Sequence, residues 1–330
     1  MRRFAATALA CAMVAAGCSG GDGQVEDSLQ VVANPEAARP APSPERVASP
    51  AGTVVPAGSV TALASTAGTL AVALSAPPSV LLYDLADLTK PARPVPLPGP
   101  AEQLTADGDG LLAPVPSAGQ VLRIAVPTAQ VTATPVAGQP VSAARGGDRT
   151  LVAVRDRKAV DVVEGGAVRG SVTGQLYSAD QVLTSGPNTV VLDRLRTAVF
   201  EVDVPGGAVK EGLRAGDGAS NAVTDRFGRV LVTDTRAGAL LAFSAAPLLL
   251  RQRFPVPGGV YGLAYDPRRD LAWVTLTARN EVVGFDVAGG EPVERFRFPT
   301  VRQPNSVTVD DRSRVVVGSA TGEGIQVIQP

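Results

Sequence analysis

The side chains that could do chemistry in this sequence carry oxygen atoms, because the chain contains no histidine. This absence removes the Ser-His-Asp and Cys-His nucleophile systems and every histidine-ligated zinc, copper or iron site. The two cysteines, Cys11 and Cys18, both lie near the N-terminus. What remains are carboxylates, amides and hydroxyls, which suit hydrogen bonding to a ligand or coordination of a hard cation such as calcium.

A sequence repeat must position these side chains. An eight-residue pattern with a small or polar start and an apolar centre occurs seven times, and its sixth position advances by 39 to 43 residues from copy to copy. The copies are "PSVLLYDL", "GQVLRIAV", "KAVDVVEG", "TAVFEVDV", "GALLAFSA", "NEVVGFDV" and "EGIQVIQP". A period near 40 is typical of repeat architectures, including propellers.

Each repeat contains only β signals. Two short apolar runs precede the eight-residue pattern, and a proline-rich run such as "RQRFPVP" follows it. Proline confines that last run to the outer edge of a sheet. Four strands in each of seven units predict an all-β chain that forms a seven-bladed β-propeller over residues 51–330. Two separate β-sandwiches are the alternative fold, but they do not explain an unbroken repeat.

The last repeat lacks a fourth run. Three apolar runs occur after residue 304, and then the sequence ends. At the other end, "TVVPAGSVTALA" aligns with "RFPVPGGVYGLA", so that "TVVP" takes the place of an outermost strand. We therefore expect residues 53–56 to complete the last blade and to close the ring.

Polar residues recur where the innermost strands begin, at the channel mouth where propellers usually bind ligands. The candidates are Glu102, Gln103, Asp180, Asn221, Tyr261 and Asn305. Four of them are oxygen donors suited to calcium, namely Glu102, Asp180, Asn221 and Asn305. This residue mix is similar to that of calcium-dependent lactonase propellers. The alternative is that these side chains line a water-filled channel, and no cofactor is required in that case.

Charged residues also recur at the turns between second and third strands, in "VRDRK", "LDRLR" and "TDTR". They are either a charged rim that docks a partner or solvated turn pairs of little energetic weight. The one tryptophan, Trp273, lies in the apolar run "LAWVTL" and is expected in a blade core.

The N-terminus carries an export signal. Arg2 and Arg3 precede an apolar stretch too short to span a bilayer. The small residues before Cys18 resemble a bacterial lipobox, which implies a signal peptide at residues 1–17 and a lipid on Cys18. An ordinary secretory signal is the alternative. Residues 18–50 are rich in Pro, Ala, Ser and Glu, so we expect a disordered tether there.

Parts of the repeat resemble known families. "VYGLAYDPRRDLAWVTLTARNEVVGFDVAGG" is similar to surface-protein propellers of the YVTN and NHL type. The order of "TVVLDR", "GRVLVTDTR", "RQPNSVTVD" and "GIQVIQ" resembles the actinobacterial lipoprotein family called LppL. That resemblance is best in the C-terminal half and implies an envelope lipoprotein, but it carries over no catalytic residue.

Together these features favour an extracytoplasmic lipoprotein, anchored to the cell membrane, that acts as a ligand-binding or scaffold propeller. A calcium-assisted hydrolase similar to lactonase propellers is the alternative, and a purely structural envelope role is a third. The expected partners are the membrane, through Cys18, and an unidentified envelope protein or small ligand. Nucleic acid is not expected, because 30 basic and 31 acidic residues nearly cancel.

Overall fold

The computed structural model describes residues 34–330, so the predicted signal peptide and Cys18 lie outside the described residues. Regular structure in this range is β-strand except for one short 3-10 helix, Pro116–Ala118. The prediction of an all-β propeller is confirmed. No helix between residues 34 and 330 has the length and apolar character needed to cross a bilayer.

Four blades are separate antiparallel sheets whose strands run from innermost to outermost in chain order. The first contains β2 (Val60–Thr66), β3 (Thr69–Ser75), β4 (Pro78–Asp84) and β5 (Arg93–Pro96). The second contains β6 (Thr105–Asp107), β7 (Gly110–Val115), β8 (Gln120–Ala125) and β9 (Val131–Pro135). The third contains β18 (Ala219–Thr224), β19 (Arg229–Asp234), β20 (Ala239–Ala245) and β21 (Leu248–Pro255). The fourth contains β22 (Val260–Asp266), β23 (Leu271–Leu276), β24 (Glu281–Asp286) and β25 (Val293–Pro299).

A fifth separate sheet, here called the closing blade, combines the two ends of the propeller. It contains β26 (Pro304–Val309), β27 (Val315–Ser319), β28 (Ile325–Ile328) and, at its outer edge, β1 (Thr53–Val55). Thr53 faces Val327 and Val55 faces Ile325 in an antiparallel register. The N-terminal strand therefore completes the last blade as the repeat alignment predicts.

The remaining eight strands form one sheet, here called the double sheet. Its strands are β10 (Pro140–Gly146), β11 (Arg149–Val154), β12 (Ala159–Glu164), β13 (Ala167–Thr173), β14 (Gln181–Ser185), β15 (Asn188–Asp193), β16 (Ala198–Asp203) and β17 (Ala208–Arg214). They pair in the order β10-β11-β12-β13-β17-β16-β15-β14.

The double sheet corrects the predicted number of blades. The sequence predicts seven separate four-stranded blades, whereas five are separate and residues 140–214 share one sheet. The sheet has two four-stranded halves, and their outermost strands β13 and β17 join through a single parallel pair, Thr173 with Ala208. Gly174 permits this approach, because a Cβ atom there would lie 2.6 Å from Cβ of Val209. The repeat period of the sequence does not predict this single contact between two outermost strands.

The hydrophobic cores lie between adjacent sheets rather than within them. Each of the seven apolar clusters among the described residues combines side chains from two neighbouring sheets, or from the two halves of the double sheet. One cluster joins Val60 and Leu70 of the first blade to Ile325 of the closing blade, so the ring closes through its core as well as through β1. Trp273 is fully buried and stacks on Phe296 with ring centroids 5.7 Å apart, which confirms its prediction as a core residue.

Gln326 ties the closure together. This side chain, fully buried in β28, donates from Nε2 to the carbonyl oxygens of Ala51 at 2.7 Å and Pro299 at 2.9 Å. Its Oε1 accepts a hydrogen bond from the amide of Val301 at 3.0 Å. One amide thereby links the N-terminal segment, the outermost strand of the preceding blade and the loop that enters the closing blade.

Residues 36–46, here called the strap, lie against the ring without forming a helix or strand. Ala38 is 1% exposed, and Ser43 hydrogen-bonds both Gln303 and Thr277. The predicted disordered tether at residues 18–50 is therefore wrong over the strap. Its composition indicates disorder because it cannot form a core of its own, but polar side chains of the ring hold its main chain.

Candidate functional site at the channel mouth

Two kinds of loop share one face of the ring. Because successive strands in a blade run antiparallel, the loops that enter the innermost strands lie on the same face as the turns between second and third strands. We call this side the mouth face. A central channel of about 930 Å³ runs along the innermost strands and opens there. All six predicted site residues line it, namely Glu102, Gln103, Asp180, Asn221, Tyr261 and Asn305.

The two mouth carboxylates are joined by an arginine. Arg155, in the turn after β11, donates to Glu102 through two parallel bonds, Nη1 to Oε1 at 3.0 Å and Nη2 to Oε2 at 2.7 Å. Its Nε donates to Oδ1 of Asp180 at 2.8 Å. Burial opposes the charge of this guanidinium, but the hydrogen bonds from Arg155 to both carboxylates outweigh burial and raise its pKa above the ordinary value. The result is a closed acid–base–acid network across the mouth.

Asp180 is fixed further by its own loop. Its Oδ2 accepts hydrogen bonds from the hydroxyl of Ser178 and, at 2.9 Å, from the amide of Arg194. The same hydroxyl lies 3.0 Å from Oδ1 of Asp193, a carboxylate whose pKa is raised by burial. Asp180 is only 5% exposed, so its charge is used within the protein and is not presented to solvent.

Several polar residues at the mouth brace an innermost strand against the next innermost strand or against the loop that enters it. Each of these hydrogen bonds joins residues 40 or 41 positions apart, which is the length of one repeat. They run from Thr61 Oγ1 to Ala101 O at 2.6 Å, from Val182 N to Ser142 Oγ at 3.2 Å, from Gln181 Nε2 to Ala222 O at 2.7 Å, from Ala222 N to Gln181 Oε1 at 2.9 Å and from Asn221 Nδ2 to Tyr261 O at 3.0 Å. The recurrence of polar residues at this position therefore has a structural cause.

Gln103 departs from this bracing pattern. It occupies in "AEQ" the place that Gln181 occupies in "ADQ". Within residues 34–330, no hydrogen bond is formed by the Gln103 side chain, whereas both polar atoms of the Gln181 amide are used. Asn305 also differs, because its Oδ1 accepts a hydrogen bond from Gln303 Nε2 at 2.9 Å on the side of the strap. The mouth thus leaves the amide of Gln103 available to a ligand.

The four predicted calcium ligands do not converge as a set of open oxygen donors. The guanidinium of Arg155 lies between Glu102 and Asp180, where a cation would have to bind. The Oδ1 of Asn305 accepts a hydrogen bond from Gln303, and the Asn221 side chain is held in a strand brace through its Nδ2. In the part of the chain that the structure describes, no group of three or more His, Cys, Asp or Glu side chains is arranged to hold a metal ion.

Sequence alignment of the innermost strands missed Arg155 because this residue belongs to a different turn. A signal was nevertheless present, since "VRDRK" and "LDRLR" place Arg155 and Arg194 at the same position after a second strand. Both arginines line the channel. Arg194 donates to the carbonyl oxygen of Ala38 in the strap at 2.7 Å, whereas Arg155 holds the carboxylates. The two equivalent residues thus serve different parts of the mouth face.

Two acidic residues of these turns, Asp193 and Asp234, are buried and so are neither a free rim nor solvated pairs, whereas Asp156 in "VRDRK" is exposed. Asp234 is fully buried and accepts hydrogen bonds from the amides of Asp217 at 3.0 Å and Gly218 at 2.9 Å, in the loop that enters the same blade. Asp193 accepts one from the amide of Tyr177 at 2.6 Å in the equivalent place. Buried carboxylates of this kind satisfy loop amides, so these aspartates hold the mouth face together.

No protein family and no curated protein matches the sequence of this chain. Solved structures match its fold. Kuenenia stuttgartiensis hydrazine synthase aligns with a TM-score of 0.70 at 17% identity, over 84% of this chain and 98% of that one. Virginiamycin B lyase from Staphylococcus aureus aligns with a TM-score of 0.70 at 10% identity, over 83% and 96%. The WD40 propeller domain of Doa1 gives 0.67 at 12% identity, over 84% and 95%.

At such identities these likenesses show the propeller fold alone, because one fold hosts many functions. The neighbours themselves include enzymes and a WD40 domain. No family match supports the resemblance to LppL-type lipoproteins, which stays a prediction.

Proposed function

We propose that this protein is an extracytoplasmic lipoprotein whose propeller binds a small polar ligand or a protein partner at the channel mouth. The observation that carries the proposal is the pairing of Glu102 and Asp180 with Arg155. It leaves a mouth lined by neutralised charges and hydrogen-bonding groups. A channel of about 930 Å³ lies within the range of small-molecule sites.

A hydrolase is less well supported by this arrangement. A carboxylate base or a metal-bound water would have to replace histidine in this chain, and both mouth carboxylates already accept hydrogen bonds from Arg155. A catalytically inactive form of the matched lyase carries a histidine-to-alanine substitution. No counterpart to that histidine exists in a chain without histidine.

The ligand should be polar with little net charge. The charged side chains at the mouth are Glu102, Asp180, Arg155 and Arg194, whose formal charges cancel. The amide of Gln103, which has no partner between residues 34 and 330, offers both a donor and an acceptor. Tyr261 adds an aromatic edge at the same opening. A strongly charged ligand would have to break the Arg155 network, whereas a neutral or zwitterionic one leaves it intact.

We also interpret the ring as seven units, counting each half of the double sheet as a blade. Two features support this count. The link between the halves is a single pair of residues, Thr173 and Ala208. The strand braces cross the double sheet at the same repeat length as elsewhere, from Ser142 to Val182.

The lipid anchor rests on the sequence around Cys18, with LppL-type lipoproteins as the resembled family. The test is fractionation of cells that produce the wild type and the Cys18→Ser variant. We expect the wild type in the membrane fraction with an acyl mass on Cys18, and the variant released or unprocessed. A soluble exported wild type without acyl mass would refute the anchor and leave the binding proposal standing.

The binding proposal is tested with the purified soluble chain. The protein is incubated with a small-molecule extract of the cell envelope, re-purified, and its bound compounds are identified by mass spectrometry. We expect a compound that the wild type retains and that Gln103→Ala loses, with the same melting temperature for both proteins. Retention that is indifferent to this substitution would remove the mouth as the site.

A further inference from the structure

The ring recognises the strap mainly through its main chain. Side chains from loops on the mouth face donate hydrogen bonds to four carbonyl oxygens of residues 36–46. The bonds run from Arg236 Nη2 to Glu36 O at 2.6 Å, from Arg194 Nη2 to Ala38 O at 2.7 Å, from Gln303 Nε2 to Ala41 O at 3.1 Å and from Asn280 Nδ2 to Pro44 O at 3.0 Å. Donors that meet main-chain carbonyls read an extended backbone, whatever its side chains.

Three side chains of the strap make polar contacts with the ring. Glu45 pairs with Arg302 at 3.0 Å and Arg46 with Glu323 at 3.6 Å, while Ser43 is held by hydrogen bonds. Its amide donates to Gln303 Oε1 at 3.0 Å, and its hydroxyl accepts from the amide of Gln303 at 2.8 Å. The same hydroxyl donates to the carbonyl oxygen of Thr277 at 2.7 Å. This reciprocal arrangement fixes the register of the strap, because moving it by one residue would break all three bonds.

Two alanines of the strap face glycines of the ring. Ala38 is 1% exposed, and a Cβ atom on Gly218 would lie 2.9 Å from its methyl group. A Cβ atom on Gly259 would lie 3.1 Å from the methyl group of Ala41. The surface of the ring under the strap, here called the groove, therefore accepts only small side chains at these two positions, which are three residues apart.

The strap sequence suits this groove. Prolines at positions 40, 42 and 44, and Pro35 just before the strap, fix their own φ near −65°. They also restrict the residues before them to extended conformations. Most of the ordering entropy of the segment is thus lost before it docks, so relatively few hydrogen bonds suffice to hold it.

We propose that this groove is a peptide-binding site whose resident ligand is the chain's own strap. Its ligand class is an extended, proline-containing peptide with alanine at two positions three residues apart and serine two residues further on. Such a peptide on another protein would compete with the strap for Arg194, Arg236, Asn280 and Gln303. This site adjoins the channel through Arg194, which lines both, but the proposal depends on neither the lipid anchor nor the mouth ligand.

The test uses the whole folded chain and then frees the groove. A protease recognition sequence is inserted after Val47, which is fully exposed, in a soluble Cys18→Ser protein. After cleavage, a fluorescent peptide of residues 34–47 is titrated into the cut protein and its anisotropy is measured. We expect saturable binding that unlabelled peptide reverses, and a released strap fragment on size exclusion in the presence of excess peptide.

Peptide variants give the controls, because they leave the protein unchanged. The Ala38→Leu peptide should bind at least about tenfold more weakly, since the larger side chain would be forced against Gly218. The Arg39→Ala peptide should bind as the natural one does, because Arg39 is exposed. Absence of saturable binding, a cut fragment that never exchanges with added peptide, or equal binding of the Ala38→Leu peptide would each overturn the proposal.

Discussion

Replacing Gln326 by methionine should strongly destabilise the propeller. Methionine keeps a similar volume but removes all three hydrogen bonds of the buried amide. Pro299 O retains a bond from the amide of Ala51 at 3.0 Å. The Ala51 carbonyl and the Val301 amide are left without these partners. A buried polar group left unpaired costs about 1–3 kcal/mol, so the two together cost about 2–6 kcal/mol.

The assay is urea unfolding followed by circular dichroism, with thermal melting as a second measurement. For a chain of this size, a loss of 2–6 kcal/mol corresponds to a drop of about 4–12 °C in the melting temperature. The matched control is Gln103→Met, which makes the same chemical change where the amide has no partner among the described residues. We expect that control to stay within about 0.5 kcal/mol of the wild type.

A Gln326→Met protein as stable as the control would refute the reasoning. That result would mean that Ala51 and Val301 find other partners, and that the contact between the chain ends does not depend on this side chain. A loss confined to the first unfolding transition, with the rest of the melt unchanged, would instead place the effect locally at the closing blade.

Three further substitutions test other parts of the structure. Gly52→Ala should lower the free energy of unfolding in urea by about 1–3 kcal/mol, because Gly52 has a φ of +69° and a Cβ there would lie 2.2 Å from Val327 O. The control is Gly289→Ala, which should be nearly neutral because no atom lies within 4 Å of its added Cβ. Arg155→Met should lower the free energy of unfolding by about 1–3 kcal/mol. It should also make the melting temperature rise with calcium, because it frees the carboxylates of Glu102 and Asp180. A wild-type melting temperature that itself responds to calcium or chelator would contradict this. Hydrogen bonds from Arg295 lower the pKa of Asp286. The ion pair therefore stabilises the fold above the ordinary carboxyl pKa, and this contribution is lost as the pH falls through the lowered pKa of Asp286. Asp286→Asn should therefore lose less stability than the wild type between neutral and acid pH, and equal losses would count against the pair.

The repeat could be predicted because it depends on local signals that recur. Apolar runs, proline-rich outer strands and turn residues mark the phase of each unit, and the same phase led to the pairing of Thr53–Val55 with β28. Trp273 was predictable for the same reason, since it lies in the middle of a second strand.

The contacts that decide the site were not predictable in this way. Arg155 and Glu102 are 53 residues apart and belong to different loops, so no alignment of like positions brings them together. The strap was misjudged because its composition was considered alone, whereas its partners lie more than 150 residues away along the chain. The double sheet depends on one pair of residues, which is too small a feature to leave a pattern in the sequence.

The strap also determines how mechanical load reaches the ring. A pull on any residue ahead of position 34 passes through the strap before it reaches β1, because the strap lies between them along the chain. The hydrogen bonds to Arg194, Gln303 and Asn280 must yield first. The strap thus protects β1 from force applied to the N-terminal segment. Tension on the N-terminal segment first breaks the hydrogen bonds of the strap, while the pairing of β1 with β28 that closes the ring bears no force.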